Sequence, residues 1–134
     1  MIKEIAKFIE LKTSFVINVN LLIGHRPQDA IDRCSVILET AGGGVYFDLP
    51  DRVDKSIQIL SRGNPKYYFQ ARDDAWAIFN VLHGTAGWDL PIIIAGIEYE
   101  AQVIEANSDP QYIGQDEKLR YEFSTNYVFK IRNK

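Results

Sequence analysis

"GQDEKLRYEFSTNYVFKI", residues 114–131, carries the pattern on which the fold turns. Tyr121, Phe123, Thr125, Tyr127, Phe129 and Ile131 alternate with Glu122, Ser124, Asn126, Val128 and Lys130. A period of two places the first set on one face of an extended chain, so this is a strand with one apolar face. At roughly 3.3 Å per residue it is long enough to run the height of a small domain. Ahead of it stand Gly114, which permits a turn, and two acids, Asp116 and Glu117. Those acids are either a catalytic pair or charges at the entry to a strand.

Upstream, Ile97, Tyr99, Ala101 and Val103 alternate with Glu98, Glu100 and Gln102, which predicts the partner strand of a long hairpin. Residues 107–118 then form its loop, a long connection. Before the hairpin lies the strongest helical pattern. Tyr68, Ala71, Ala75, Ile78, Phe79 and Leu82 recur at spacings of three and four. Asn64 is placed to cap this helix, Pro65 to open it and Gly84 to end it. A second helix is predicted at the N-terminus, Ile2–Lys12, with Ile2, Ile5, Ala6 and Ile9 on one face.

Between the helices, three strands are expected at 15–23, 34–40 and 55–62. "AGGGVYFDLPDRVD", residues 41–54, is a long connection whose three glycines supply backbone freedom. It is either a hairpin turn or an arm that orders against a partner. The order is α-β-β-β-α-β-β in one domain spanning 1–134. The expected class is α+β, a central mixed or antiparallel sheet of about five strands with helices mainly on one face.

Composition narrows the function. The net charge of −3 argues against simple attraction to a phosphate backbone. Tyr67, Tyr68 and Phe69 near Arg62, Lys66 and Arg72 have the chemistry to stack on bases, yet the opening of an amphipathic helix accounts for them equally. The lone Cys34 forms no internal disulfide. The longest apolar run, Leu90–Ile97, is too short for a membrane span, and Glu4 and Glu10 interrupt what would be a secretory leader. The expected site of synthesis is a cytoplasm.

Catalytic signatures are missing. His25 and His83 stand far apart, without the spacing of a metal site. Asp73 and Asp74 are adjacent on a helix and point to different faces. "GGG" lacks the Lys-Ser/Thr of a phosphate loop. No cofactor, metal or catalytic residue is expected. Charge is instead segregated. Asp89 to Glu117 holds seven acids and no Lys or Arg, whereas Lys118 to Lys134 holds five bases and one acid. Such blocks pair either within the hairpin or between neighbouring subunits.

"ILSRGN" (59–64), "YYFQARDDAWAIFNVLHG" (67–84) and "SDPQYIGQDEKLRYEFSTNYVFKI" (108–131) together resemble the small tail-terminator or minor-capsid proteins of siphoviruses. "ILET" and the glycines after it, 37–44, are similar to a strand-and-loop segment of that family. Leu119 stands where the family commonly has glycine. The resemblance implies an α+β subunit that is not an enzyme and assembles as a ring, usually a hexamer. The ring caps the tail tube, ends its polymerisation and offers a surface to the head connector. The implied partners are other copies of the chain, the tube protein and the connector, with DNA passing through the lumen and no membrane contact. The implied location is the virion tail or neck. Candidate contact residues are Gly42, Gly43, Gly44, Asp48, Asp51, Asp109, Asp116, Glu117, Lys118 and Arg120. The first alternative is a neck adaptor that joins head to tail without stopping the tube; behind it stand a small enzyme and a nucleic-acid-binding module.

Overall fold

A computed structural model of the chain describes residues 2–40, 52–84, 86–89 and 99–133. Its elements are α1 (Ile2–Lys12), β1 (Leu21–Ile23), β2 (Cys34–Glu39), β3 (Arg52–Arg62), α2 (Tyr68–Leu82), β4 (Ala86–Asp89), β5 (Tyr99–Ala106), β6 (Gln111–Gln115) and β7 (Tyr121–Asn133). They form one mixed sheet in the order β1-β2-β3-β7-β5-β4, with β6 also beside β7. Among the described strands the β1–β2 pair is parallel and the other pairs run antiparallel.

The α+β class holds, and the strand quoted first is the spine of the sheet. β7 pairs with β3 from Arg52↔Arg132 to Arg62↔Glu122 without a break. Its odd-numbered face, Tyr127, Phe129 and Ile131, joins Ile57 and Ile59 of β3, Ile104 of β5 and Ile37 of β2 in the main core. Ile5, Ala6, Phe8 and Ile9 of α1 and Ile78 and Leu82 of α2 close over that same core. Each fully buried Ile, Leu or Phe contributes on the order of 1.5–3 kcal/mol. A smaller cluster of Leu22, Cys34 and Val36, backed by Ala30, Leu38 and Leu60, packs apart from it.

Four expectations are corrected. The sheet has seven strands among the described residues rather than about five. One is β4, between the expected helix and hairpin, where no strand was predicted. Another is β6, inside the expected 107–118 loop. β5 pairs with residues 127–133 of β7, and β6 pairs with 121–124, so the chain from Tyr99 to Gln115 lies along one side of β7. The interruption is only the turn near 107–110, where the Asn107 N–H donates to the Asn126 carbonyl at 2.9 Å.

The strand expected at 15–23 shrinks to β1. Asn20 Oδ1 accepts the Val16 N–H at 2.7 Å, the Asn20 N–H donates to the Val16 carbonyl, and Asn18 sits at φ 66. Asparagine side chains favour such local turns and tolerate this backbone region, so the polar half of the alternation is turn chemistry.

α2 starts at Tyr68, later than Asn64 and Pro65 predicted. The Asn64 carbonyl accepts the Tyr67 N–H in a turn instead, and the Asn64 N–H donates to Gln70 Oε1 at 2.9 Å. The close approach ahead of that turn selects glycine. A Cβ on Gly63 would stand 2.7 Å from the Tyr67 carbonyl oxygen and 3.1 Å from the Ala71 nitrogen. At the other end Gly84 takes φ 75, as a helix stop requires, and its N–H donates to the Ile104 carbonyl. β3 begins at Arg52, inside the expected 41–54 connection; the rest of that connection lies outside the described residues.

Candidate functional site

The end of the sheet where β6 turns into β7 gathers a connected set of paired charged side chains. Asp116 organises the turn. Its carbonyl accepts the Leu119 N–H, and its N–H donates to the Arg120 carbonyl, each at 3.0 Å. Its Oδ1 accepts the N–H groups of Lys118 and Arg120, and its Oδ2 accepts Arg120 Nε at 2.7 Å. Burial pushes this carboxyl up, but the hydrogen bonds from the Arg120 backbone, the Arg120 guanidinium and Lys118 outweigh it and hold the group below its ordinary range.

The same Arg120 reaches back across the chain, with Nη1 2.9 Å from Asp32 Oδ1. Arg26 Nη2 lies 2.7 Å from Glu122 Oε1 on β7. Arg62, at the end of β3, donates from Nε and Nη2 to the carbonyls of Asp32 and Ile31. The 24–33 connection is therefore tied to β3 and to the β6–β7 turn by three arginines. Arg33 adds a bidentate pair to Asp74 of α2, at 3.0 and 2.9 Å. Asp74 and Asp116 are thus both engaged in internal ion pairs.

Beside the charged end lies an aromatic one. Tyr68 packs edge-on against Phe69, Tyr112, Tyr121 and Phe123, with ring centroids 5.3–5.9 Å apart. Tyr121 and Phe123 face inward; Phe69 is 68% exposed, Tyr67 60%, and Tyr112 and Ile113 about half. The Lys66 N–H donates to the Leu119 carbonyl at 2.9 Å, joining the entry of α2 to the turn. β6 uses one side to pair with β7, and no described strand pairs with its other side. An open strand edge next to exposed aromatics is a surface suited to another chain.

The structure divides the candidate contact residues. It brings Asp116, Glu117, Lys118 and Arg120 together at the turn, with Glu117 and Lys118 exposed and Asp116 and Arg120 consumed internally. Asp109 is exposed at the separate turn between β5 and β6, where its carboxylate accepts Gln111 Nε2. Gly42, Gly43, Gly44, Asp48 and Asp51 lie outside the described residues. Sequence reasoning missed Arg26, Asp32 and Glu122, whose partners are distant in the chain. It also missed Tyr112 as an exposed ring; its place in a short strand beside β7 was hidden in the expected loop.

Two further chemistry-bearing side chains, His83 and Cys34, have identifiable surroundings. His83 Nδ1 accepts the Ala106 N–H at 3.0 Å, and its ring stacks on Phe79. Cys34 is buried at the start of β2. Among the described residues no group of three or more His, Cys, Asp or Glu is placed to hold a metal ion. No described helix is long and apolar enough to cross a membrane.

A family model described as bacteriophage tail terminator protein matches residues 15–133. No curated protein matches the chain.

Proposed function

The chain belongs to the bacteriophage tail terminator family, a structural component of the phage tail, and from that premise we propose that it closes as a ring on the end of the tail tube and stops the tube's growth. The ring is built from copies of this chain in head-to-tail contact, six by the family resemblance, and its outer face receives the head connector. DNA passes through the lumen without sequence-specific contact, and the role needs no catalytic step.

The observation that carries this reading is the open edge of β6 with Tyr67, Phe69 and Tyr112 exposed beside it. A ring subunit needs a surface that meets a different surface on its neighbour, because a contact of one patch with itself stops at a dimer, whereas a head-to-tail contact forms a ring when the rotation closes. The exposed apolar group of Val16, Val19 and Leu11, on the α1 and β1 side, supports a second such surface at the opposite margin of the sheet. Asp109, Glu117 and Lys118 flank the β6 edge and supply charge at its rim. Residues 42–44, Asp48 and Asp51 belong to the same proposal as contacts to the tube or a neighbouring copy.

The test is the mass of the purified protein together with negative-stain images, and the tails made by a phage lacking it. Rings in solution or on tube ends, with overlong tails in the mutant, support termination. Normal-length free tails beside unjoined heads would assign the neck-adaptor role instead.

A further inference from the structure

Three guanidinium groups converge where β3 and β7 meet the 24–33 connection, and three carboxylates are shared unevenly among them. Arg120 is held by two carboxylates, Asp116 and Asp32. Arg26 has Glu122 on Nη2, while its Nη1 is shut off from water and has no hydrogen-bond partner. Arg62 is the most enclosed, at 5% exposure. It donates only to neutral backbone carbonyls, and no described carboxylate forms an ion pair with it. Burial presses Arg62 below the usual arginine range; Cys34 and Asp116 push it back up, while the nearby charges of Arg26 and Arg120 press it down.

These side chains line a cleft of about 500 Å³, together with Lys118, Gln28 and Glu117. A cleft with low-dielectric walls focuses the field of buried charge into its opening. A guanidinium fork matches the paired oxygens of a carboxylate or phosphate. Glu117 opposes an anion there; it is exposed like Lys118, so water screens both charges, and the enclosed guanidinium groups carry the attraction. We infer that this cleft binds a small oxyanion, of carboxylate or phosphate type, through Arg62, Arg26 and Lys118. The source is either a free anion or an acidic side chain of a neighbouring protein chain, and the site stands whether or not the protein forms rings.

The experiment labels the arginines of the full chain with ¹⁵N and titrates inorganic phosphate at constant ionic strength set with chloride. Saturable shifts of the Arg62 and Arg26 Nε–H resonances are expected. Arg26→Gln and Lys118→Gln should each weaken binding about tenfold, the loss of one charge-assisted contact. Lys118 is exposed, so its variant keeps the fold if the Arg26 variant does not. Lys130→Gln, farther along β7, should bind as the unaltered chain does. Shifts that never saturate, or equal affinity in the Lys118 variant and the unaltered chain, overturn the inference. Given saturable binding, displacement of phosphate by acetate or a short aspartate peptide assigns the site to carboxylates; failure of both to compete assigns it to phosphate-type anions.

Discussion

Arg120 Nε lies 2.7 Å from Asp116 Oδ2, and the same aspartate receives the Arg120 backbone N–H on Oδ1 at 3.0 Å. One carboxylate thus holds both the main chain and the side chain of the residue just before the long strand. Its effect on stability should be measurable. Asp116→Ala removes three hydrogen bonds from a largely enclosed carboxylate and should cost about 1–3 kcal/mol in denaturant unfolding.

The pH dependence has a definite sign. Asp116 is held below the ordinary carboxylate value in the folded chain. Its contribution is therefore present above the unfolded value, about 4, and is lost as pH falls through the lower folded value. Comparing urea midpoints of the unaltered chain and Asp116→Asn through that acidic window should show the gap between them closing as pH drops. A gap that stays constant would remove Asp116 as the titrating group.

Leu119 occupies φ 63, in the left-handed region that side chains with a Cβ rarely adopt. The family resemblance places glycine there. Leu119→Gly relieves the backbone and gives up a half-exposed side chain, so a net gain of about 0.5–1 kcal/mol is expected. A thermal melt should show the midpoint rising by a few degrees; a lower midpoint would mean that the turn is not strained.

Gly63 is the opposite case. Its Cβ would meet the Tyr67 carbonyl oxygen, a backbone atom with little room to retreat. Gly63→Ala should cost about 1–3 kcal/mol by overpacking, seen as a lower denaturation midpoint with unchanged slope.

The ring proposal separates assembly from stability. Tyr67→Ser and Phe69→Ser alter rings that are mostly in water. Each should move subunit stability by no more than about 0.5 kcal/mol while reducing the ring fraction in light-scattering mass measurements. Loss of folding in both, or rings of unchanged mass in the pair combined, would count against this edge as the contact.

Much of the fold could be read locally. α1 has the bounds that its apolar stripe predicted, and β7 has the face that its alternation predicted. Both signals are short-range periodicities, set by backbone geometry and one buried surface. The failures are local patterns with two meanings. At 16–20 alternating asparagines closed a turn rather than facing water along a strand. At 107–118 turn-forming residues were read as a loop, yet Gly114 at φ 121 sits in a strand with a bulge.

The amino-acid sequence alone determined the α+β class, the segregation of acid from base and the absence of familiar catalytic spacing. It also carried the family resemblance, because those patterns are written in neighbouring residues. Only the tertiary structure decided how the charges are spent. Arg26 meets Glu122, and Arg120 meets Asp32, across 96 and 88 positions of chain. No local pattern encodes such a pair, since it forms only after β3 and β7 have brought their ends together. The acids that opened the reading illustrate this: Asp116 is locked inside its own turn, and Glu117 is left to the surface.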